Sequence, residues 1–280
     1  MKEFTCTISS NVEILPRVNL MWLKAAHIAD TAEPGQFVTL RCGDLTLRRP
    51  FSIHQVDAGR VALLFKIVGK GTLWLSQRRE GDRLDILGPL GKGFKVETSS
   101  RNLLMLAGGI GITPLVFLAH HASSQHSIRL IYGASADSEL YPLSSLPSGV
   151  QVITVTEDGS GGNRKGLVTD VLPDFLEWAD QLYACGPPGM YEGMAKLLRC
   201  FESPASRASR EAVLSENFTQ DKADEGYKLK KCQVSLEVRM GCGVGACYGC
   251  SINTRKGLKK VCHDGPVFEL GDIVWEGVTI

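Results

Sequence analysis

Net charge is nearly absent from this sequence: 31 Lys and Arg stand against 30 Asp and Glu over 280 residues, leaving +1. A chain so balanced has no field to draw it to nucleic acid or to anionic membranes, so any anionic ligand must be held by local groups. A clean membrane-spanning run is missing too. The longest uncharged stretch, Asn102 to Ile128, is broken by Gly108, Gly109, Gly111 and Pro114, and its second half carries His120, His121, Ser123, Ser124 and Gln125. It reads as a buried strand, a glycine loop and a helix. The start, MKEFTCTISS, lacks the apolar core and small-residue cleavage site of a secretory signal, and a cytoplasmic protein is expected. Internal repeats and low-complexity tracts are likewise missing.

What is present is 44% hydrophobic and 22% charged residues, enough apolar material for about two compact domains and a small appendage. Up to residue 98, short alternating stretches such as Val61 to Val68 are separated by turn signals at Glu33-Pro34-Gly35, Asp57-Ala58-Gly59, Gly81-Asp82 and Gly88-Pro89. That rhythm predicts an antiparallel barrel or sandwich, with one helical interlude from Thr72 to Arg79. From residue 99 strands alternate with helices, which predicts a parallel sheet covered on both faces and ending in a helix from Tyr191 to Phe201. Glu202 to Arg210 is small and polar enough for a linker. The expected division is therefore 1–98, 99–205 and 206–280.

Nine cysteines are present, an odd number. Cys6, Cys42, Cys185, Cys200 and Cys232 are scattered, whereas Cys242, Cys247, Cys250 and Cys262 form C-x4-C-x2-C-x11-C. In a reducing compartment such a cluster points to metal or redox chemistry rather than disulfides. The first two gaps are the plant-type spacing for a [2Fe-2S] cluster. Four thiolates must converge on two irons, and Gly241, Gly243, Gly245 and Gly249 give the backbone the freedom to wrap them. A structural zinc knot would show two close pairs; here there is one, and the first gap is long for zinc. Cys262 is expected from a later strand or turn.

Two other constellations point to nucleotides. Arg49-Pro50-Phe51-Ser52 lies between strand-like runs, where Arg49 could pair with a pyrophosphate and Ser52 with a flavin ring edge. The segment Lys66-Ile67-Val68-Gly69-Lys70-Gly71-Thr72 opens a helix with glycines and would clamp the same dinucleotide. Arg48 is read as a solvated neighbour. Further on, Gly108-Gly109-Ile110-Gly111-Ile112-Thr113-Pro114 follows an apolar strand, and either a nucleotide or a neighbouring element could approach its backbone. It is not the G-x-G-x-x-G fingerprint of a standard dinucleotide-binding dehydrogenase. Cys185-Gly186-Pro187-Pro188-Gly189-Met190 ends a strand at the carboxyl edge of the sheet, where open α/β sheets bind ligands. Cys185 is either a small buried strand residue or the residue beside the nicotinamide. Glu157-Asp158-Gly159 is either a plain turn or the lining of the nucleotide's other end.

In this order, R-P-F-S, G-K-G-T, G-G-I-G-I-T-P and C-G-P-P-G-M resemble the ferredoxin-NADP reductase superfamily. With Met240 to Cys250, Lys260 to Phe268 and Gly88 to Phe94 added, the chain is similar to the electron-transfer subunit of NAD-linked dihydroorotate dehydrogenase. The resemblance implies a multidomain β plus α/β chain: an FAD-binding barrel, an NAD-binding parallel sheet and a small C-terminal [2Fe-2S] domain. It implies FAD contacts at Arg49, Pro50, Phe51, Ser52, Lys66, Ile67, Val68, Gly71 and Thr72, and cluster ligation by Cys242, Cys247, Cys250 and Cys262. NAD would lie against Gly108, Gly109, Gly111, Thr113, Gly186 and Pro187, with Cys185 at the reacting end. It also implies a partner, an FMN-containing dihydroorotate dehydrogenase catalytic subunit in a heterotetramer, in pyrimidine biosynthesis. Related subunits of sulfide dehydrogenase, transhydrogenase, sulfite reductase and hydrogenase complexes share these cofactors and are the alternative. A non-enzymatic zinc-stabilised module is a second.

Overall fold

The computed structural model describes residues 2–201 and 230–275. Six strands close a barrel in the order β1-β2-β5-β4-β3-β6. They are β1 (Lys2–Leu15), β2 (Val18–Lys24), β3 (Phe37–Leu40), β4 (Arg49–Asp57), β5 (Arg60–Lys66) and β6 (Arg83–Leu90), all paired antiparallel. A two-residue turn joins β4 to β5 through Ala58 and Gly59, at φ 45° and 75°. Two consecutive positive φ values are what a two-residue hairpin needs to match strand twist. Period-two alternation sends Val38, Leu40, Phe51 and Ile53 into the barrel core. The intervening Phe37, Thr39, Pro50, Ser52 and His54 therefore lie on the outer face. Phe37, Thr39 and His54 are nevertheless buried, because later parts of the chain cover that face. The helix α1 (Ala26–Ala29) follows β2, and α2 (Lys70–Ser76) follows β5, beginning two residues earlier than the expected interlude.

The second sheet has the order β10-β9-β8-β7-β11-β12-β15. Its strands are β7 (Asn102–Gly108), β8 (Ser127–Ala134), β9 (Gln151–Thr156), β10 (Arg164–Lys165), β11 (Gln181–Cys185), β12 (Cys232–Ser235) and β15 (Val267–Glu269). All neighbours run parallel except β12 and β15. The uncharged run resolves as expected into β7, a glycine loop and α3 (Ile112–Ala122). Its lack of polar residues has a cause: Leu115, Leu118 and Ala119 belong to the sheet core while Phe117 enters the barrel core, so α3 is buried on two sides. Strand and helix do not alternate throughout. Between β8 and β9 stand two short 3-10 turns, Asp137–Glu139 and Leu143–Ser145. Glu139 in this connection pairs with Lys66 of the barrel at 3.6 Å, and Tyr141 bonds His54 of the barrel at 2.9 Å. The helices α4 (Val168–Val171), α5 (Pro173–Leu176) and α6 (Pro188–Phe201) complete this region.

The expected boundary at 205/206 lies outside the described residues, and the C-terminal region does not stand apart from the sheet. Its strand β12 pairs parallel with β11, and β15 pairs with β12. The cysteine loop, the hairpin β13 (Ser251–Thr254) and β14 (Gly257–Lys260), and the single-turn helix α7 (Val261–Asp264) lie outside the larger sheets. One apolar core runs from Phe37 and Leu90 of the barrel through Leu104 and Leu106 to Cys250, Val261 and Cys262. Each fully buried side chain of this kind contributes on the order of 2 kcal/mol, so separating the regions would expose a large apolar surface. Among the described residues no helix is long and apolar enough to cross a membrane.

Candidate functional site

The four clustered cysteines come together as two pairs. Cys242 and Cys247 flank a loop whose amides turn inward: Val244, Ala246 and Cys247 donate to Cys242 Sγ at 3.4, 3.3 and 3.4 Å. Gly243 and Gly245, at φ 72° and 81°, allow this curl, and Tyr248 adopts φ 59° beside them. Burial opposes ionisation of the Cys242 thiol, yet the amides of Val244, Cys247 and Ala246 outweigh it and bring the thiol down to about 6. The second pair lies deeper. Cys262 donates its amide to Cys250 Sγ at 3.4 Å and receives the Gly245 amide on its own sulfur at 3.1 Å. Burial, then the neighbouring Cys250, pushes the Cys262 thiol up to about 12. Cys262 stands on α7 rather than on the expected strand or turn. Among the described residues no three His, Cys, Asp or Glu side chains converge for a single ion. Two pairs of sulfurs, each fed by amide donors, form the donor set a two-iron cluster takes.

The two pairs differ in exposure. Cys250 and Cys262 are buried, while Cys247 is exposed together with its neighbours Ala246, Tyr248 and Gly249. Tyr248 is 59% exposed, and the Lys260 ammonium stands 4.7 Å from its ring centre.

A cavity of about 810 Å³ opens along the carboxyl edge of the parallel sheet. Gly108 to Gly111, Cys185 to Met190 and Gly133 to Ser135 line it, with Glu157 toward one end of the strand order and Glu237 to Arg239 toward the other. The glycines have separate tasks. A Cβ on Gly111 would stand 2.1 Å from the Cys185 carbonyl oxygen, and one on Gly108 2.7 Å from Pro187 Cδ, so these two let the loops after β7 and β11 meet. Gly109, at φ 54°, has open space beside it. Thr113 does not line the cavity: it is buried, its hydroxyl donates to Ile110 O at 2.6 Å, and its carbonyl faces His54 Nδ1 at 3.1 Å. His54 is fully buried between barrel and sheet, and desolvation lowers it to about 4. Burial pushes the Cys185 thiol up to about 12, so it stays neutral. It lies in the wall of the cavity as a small side chain.

On the barrel, the Arg49 stem lies against the first turn of α2, where a Cβ on Gly71 would stand 3.2 Å from Arg49 Cγ. Pro50 and Ser52 are on the outer face, but Phe51 packs inward, edge to face with Phe65 at 5.7 Å. The Thr72 hydroxyl is taken up locally, accepting from the Val68 and Gly69 amides and donating to the Gly69 carbonyl. Lys66 reaches the cavity at the sheet edge instead, beside Glu139. Arg48, read as solvated, binds the Asp85 carbonyl at 3.0 Å and Glu3.

Two family models match. Residues 237–274 match the iron-sulfur cluster binding domain of dihydroorotate dehydrogenase B, and residues 105–196 match an oxidoreductase NAD-binding domain. A curated relative from Desulforamulus reducens, the electron transfer subunit of dihydroorotate dehydrogenase B (NAD(+)), is 35% identical across 98% of this chain and 99% of its own. The chain belongs to the family of dihydroorotate dehydrogenase B electron transfer subunits. Another member, from Geobacillus thermodenitrificans, is 33% identical over 96% of this chain and 97% of its own. A solved NADH-dependent reduced ferredoxin-NADP oxidoreductase aligns with a TM-score of 0.78 and 26% identity, over 97% of this chain and 90% of that one. A ferredoxin NADP+ reductase from Neisseria gonorrhoeae shares the fold at TM-score 0.60 and 17% identity, over 70% of this chain and 90% of that one.

For this electron transfer subunit family member, sequence reasoning missed Glu237, Val238 and Arg239. They reach the cavity because β12 is a further parallel strand beside β11. The alternation of apolar and polar residues in Cys232-Gln233-Val234-Ser235-Leu236, just ahead of the cysteine loop, was the available signal. Burial raises the Glu237 carboxyl above its ordinary value.

Proposed function

We propose that this chain carries a [2Fe-2S] cluster on Cys242, Cys247, Cys250 and Cys262, holds FAD against the outer face of its barrel, and passes electrons from a dihydroorotate-oxidising partner to NAD+. The observation that carries this reading is the two-plus-two pairing of the cysteines, with amides aimed at their sulfurs, on the framework that forms the nucleotide cavity. When bound, the cluster supplies single-electron transfer, and the flavin links it to the two-electron chemistry of nicotinamide.

The residues divide the work as follows. Arg49 supplies the fixed cation for the flavin pyrophosphate, and Pro50 and Ser52 offer the outer barrel face to the ring. The backbone from Lys66 to Thr72 holds the other side of the dinucleotide; the Phe51 side chain and the Thr72 hydroxyl are engaged elsewhere. Gly109, Gly186 and Pro187 leave backbone open to the nicotinamide nucleotide, with neutral Cys185 as an apolar wall beside it. The charges lining the cavity are Lys66 and Arg239 against Glu139, Glu157 and Glu237. Lys66 is already paired with Glu139. This balance suits the free ribose hydroxyls of NAD better than the added 2′-phosphate of NADP.

The exposed Cys247-Tyr248 rim is the side from which a partner's electrons enter. That partner is an FMN-containing catalytic subunit, and the assembly a heterotetramer. The test is anaerobic capture of the tagged chain from its host, followed by assay of the complex for dihydroorotate-dependent NAD+ reduction. Co-purification of an FMN protein with that activity is the expected result. A different partner with no orotate formed would move the chain to another redox complex, the reading favoured by its similarity to the ferredoxin-NADP oxidoreductase.

A further inference from the structure

Thr39 is 2% exposed, and its hydroxyl has no hydrogen-bond partner among the described residues. Burying a hydroxyl unpaired costs about 1–3 kcal/mol, so such an atom marks a place where something binds. Its position is specific. Val38 and Leu40 on either side point into the barrel core, which turns Thr39 outward. On that outer face its strand neighbours are Pro50 of the R-P-F-S segment on β4 and Leu87 on β6.

What covers Thr39 is the cysteine loop. A Cβ on Gly243 would stand 3.0 Å from Thr39 Cγ2 and 3.8 Å from Leu90 Cδ1. Gly243 follows Cys242 directly, and the Cys242 sulfur is turned back into the same loop by three amides. Thr39 therefore stands where the flavin strand and the cluster loop meet, roughly 4.8 Å, one strand spacing, from β4.

We propose that the Thr39 hydroxyl, which no cysteine sulfur of the described residues reaches, donates a hydrogen bond to an inorganic sulfide of the [2Fe-2S] cluster held by this loop and thereby sets its reduction potential. The inference rests on the four cysteines being the cluster ligands. The reduced cluster carries one more negative charge than the oxidised one, so a donor at its sulfur favours the reduced form. Thr39 makes and breaks no covalent bond and neither gains nor loses an electron.

The test is an anaerobic redox titration of the full-length chain with both cofactors bound, following the cluster by electron paramagnetic resonance and the flavin by absorbance. Wild type, Thr39→Val, Thr39→Ser and Thr39→Ala are compared. Thr39→Val should keep normal iron and FAD content but leave the cluster about tenfold less reduced at a given ambient potential, with the flavin curve unmoved. Thr39→Ser should follow the wild type. Should valine disturb the packing, serine and alanine make the same comparison, with the shift appearing only in alanine. An unmoved cluster curve in every variant, or a shift of the flavin curve alone, overturns the proposal. If instead Cys247→Ser retains an intact cluster, the ligand assignment has failed, whatever Thr39 does.

Discussion

The cysteine loop and the nucleotide loop are both rich in glycine, and the structure uses the residue in opposite ways. In the cysteine loop, Gly243 and Gly245 adopt positive φ, the conformation that aims successive amides at sulfur. In the nucleotide loop, Gly108 and Gly111 serve by what they lack, since a Cβ on either would run into the chain after β11. One loop needs backbone freedom and the other needs empty volume. Substitution should separate these needs, because the strain of positive φ is modest and a collision with main chain is not.

The sharpest break in this comparison removes a ligand rather than a glycine. Cys247→Ser should abolish the cluster absorbance and electron transfer to the partner while FAD stays bound; loss of both cofactors would show that the loop also supports the barrel. Next, Gly111→Ala should destabilise the chain by more than about 3 kcal/mol in denaturant unfolding, because the main chain at Cys185 has nowhere to retreat. Acid gives the third. The turn after the nucleotide loop is held by His54, a group that must stay neutral, since its folded value is lowered to about 4 from 6.5. The unfolded chain takes up that proton first, so this stability is complete above pH 6.5 and drains away as pH falls toward 4. Between pH 7.5 and 5 the loss should be about 2 kcal/mol in unfolding experiments, and His54→Gln should flatten that part of the slope. Smallest, Gly245→Ala should cost about 1 kcal/mol through its φ, with some crowding of His263 and slower cluster loading measured by iron content. A larger effect than that of Gly111→Ala would reverse the comparison.

Features carried by local spacing were legible in the sequence. C-x4-C-x2-C-x11-C marked the region where the structure holds the cysteines as two pairs, because three of them share one short loop, and the turn signals marked the barrel because its turns are local. Features set by long-range assembly were not. That Phe51 faces inward depends on how the barrel closes, and that Thr113 turns from the cavity depends on His54 arriving from another sheet. Glu237 and Arg239 were hidden for the same reason, since the neighbour of β12 in space is β11, far back in the chain. The glycine loop kept two readings open from sequence: the structure shows the close contact at Gly111, and at Gly109 it leaves space beside the backbone.

The pairing of β12 with β11 has a consequence for how such a molecule is put together. β11 is buried along its whole length, and β12 closes its outer side. A chain shortened at residue 205 would carry a bare hydrophobic edge with a row of unpaired amides and carbonyls, the kind of strand that recruits other chains. The iron-binding tail is thus also the selvedge of the nucleotide sheet. A shortened protein would be expected to aggregate before its missing redox centre was ever noticed.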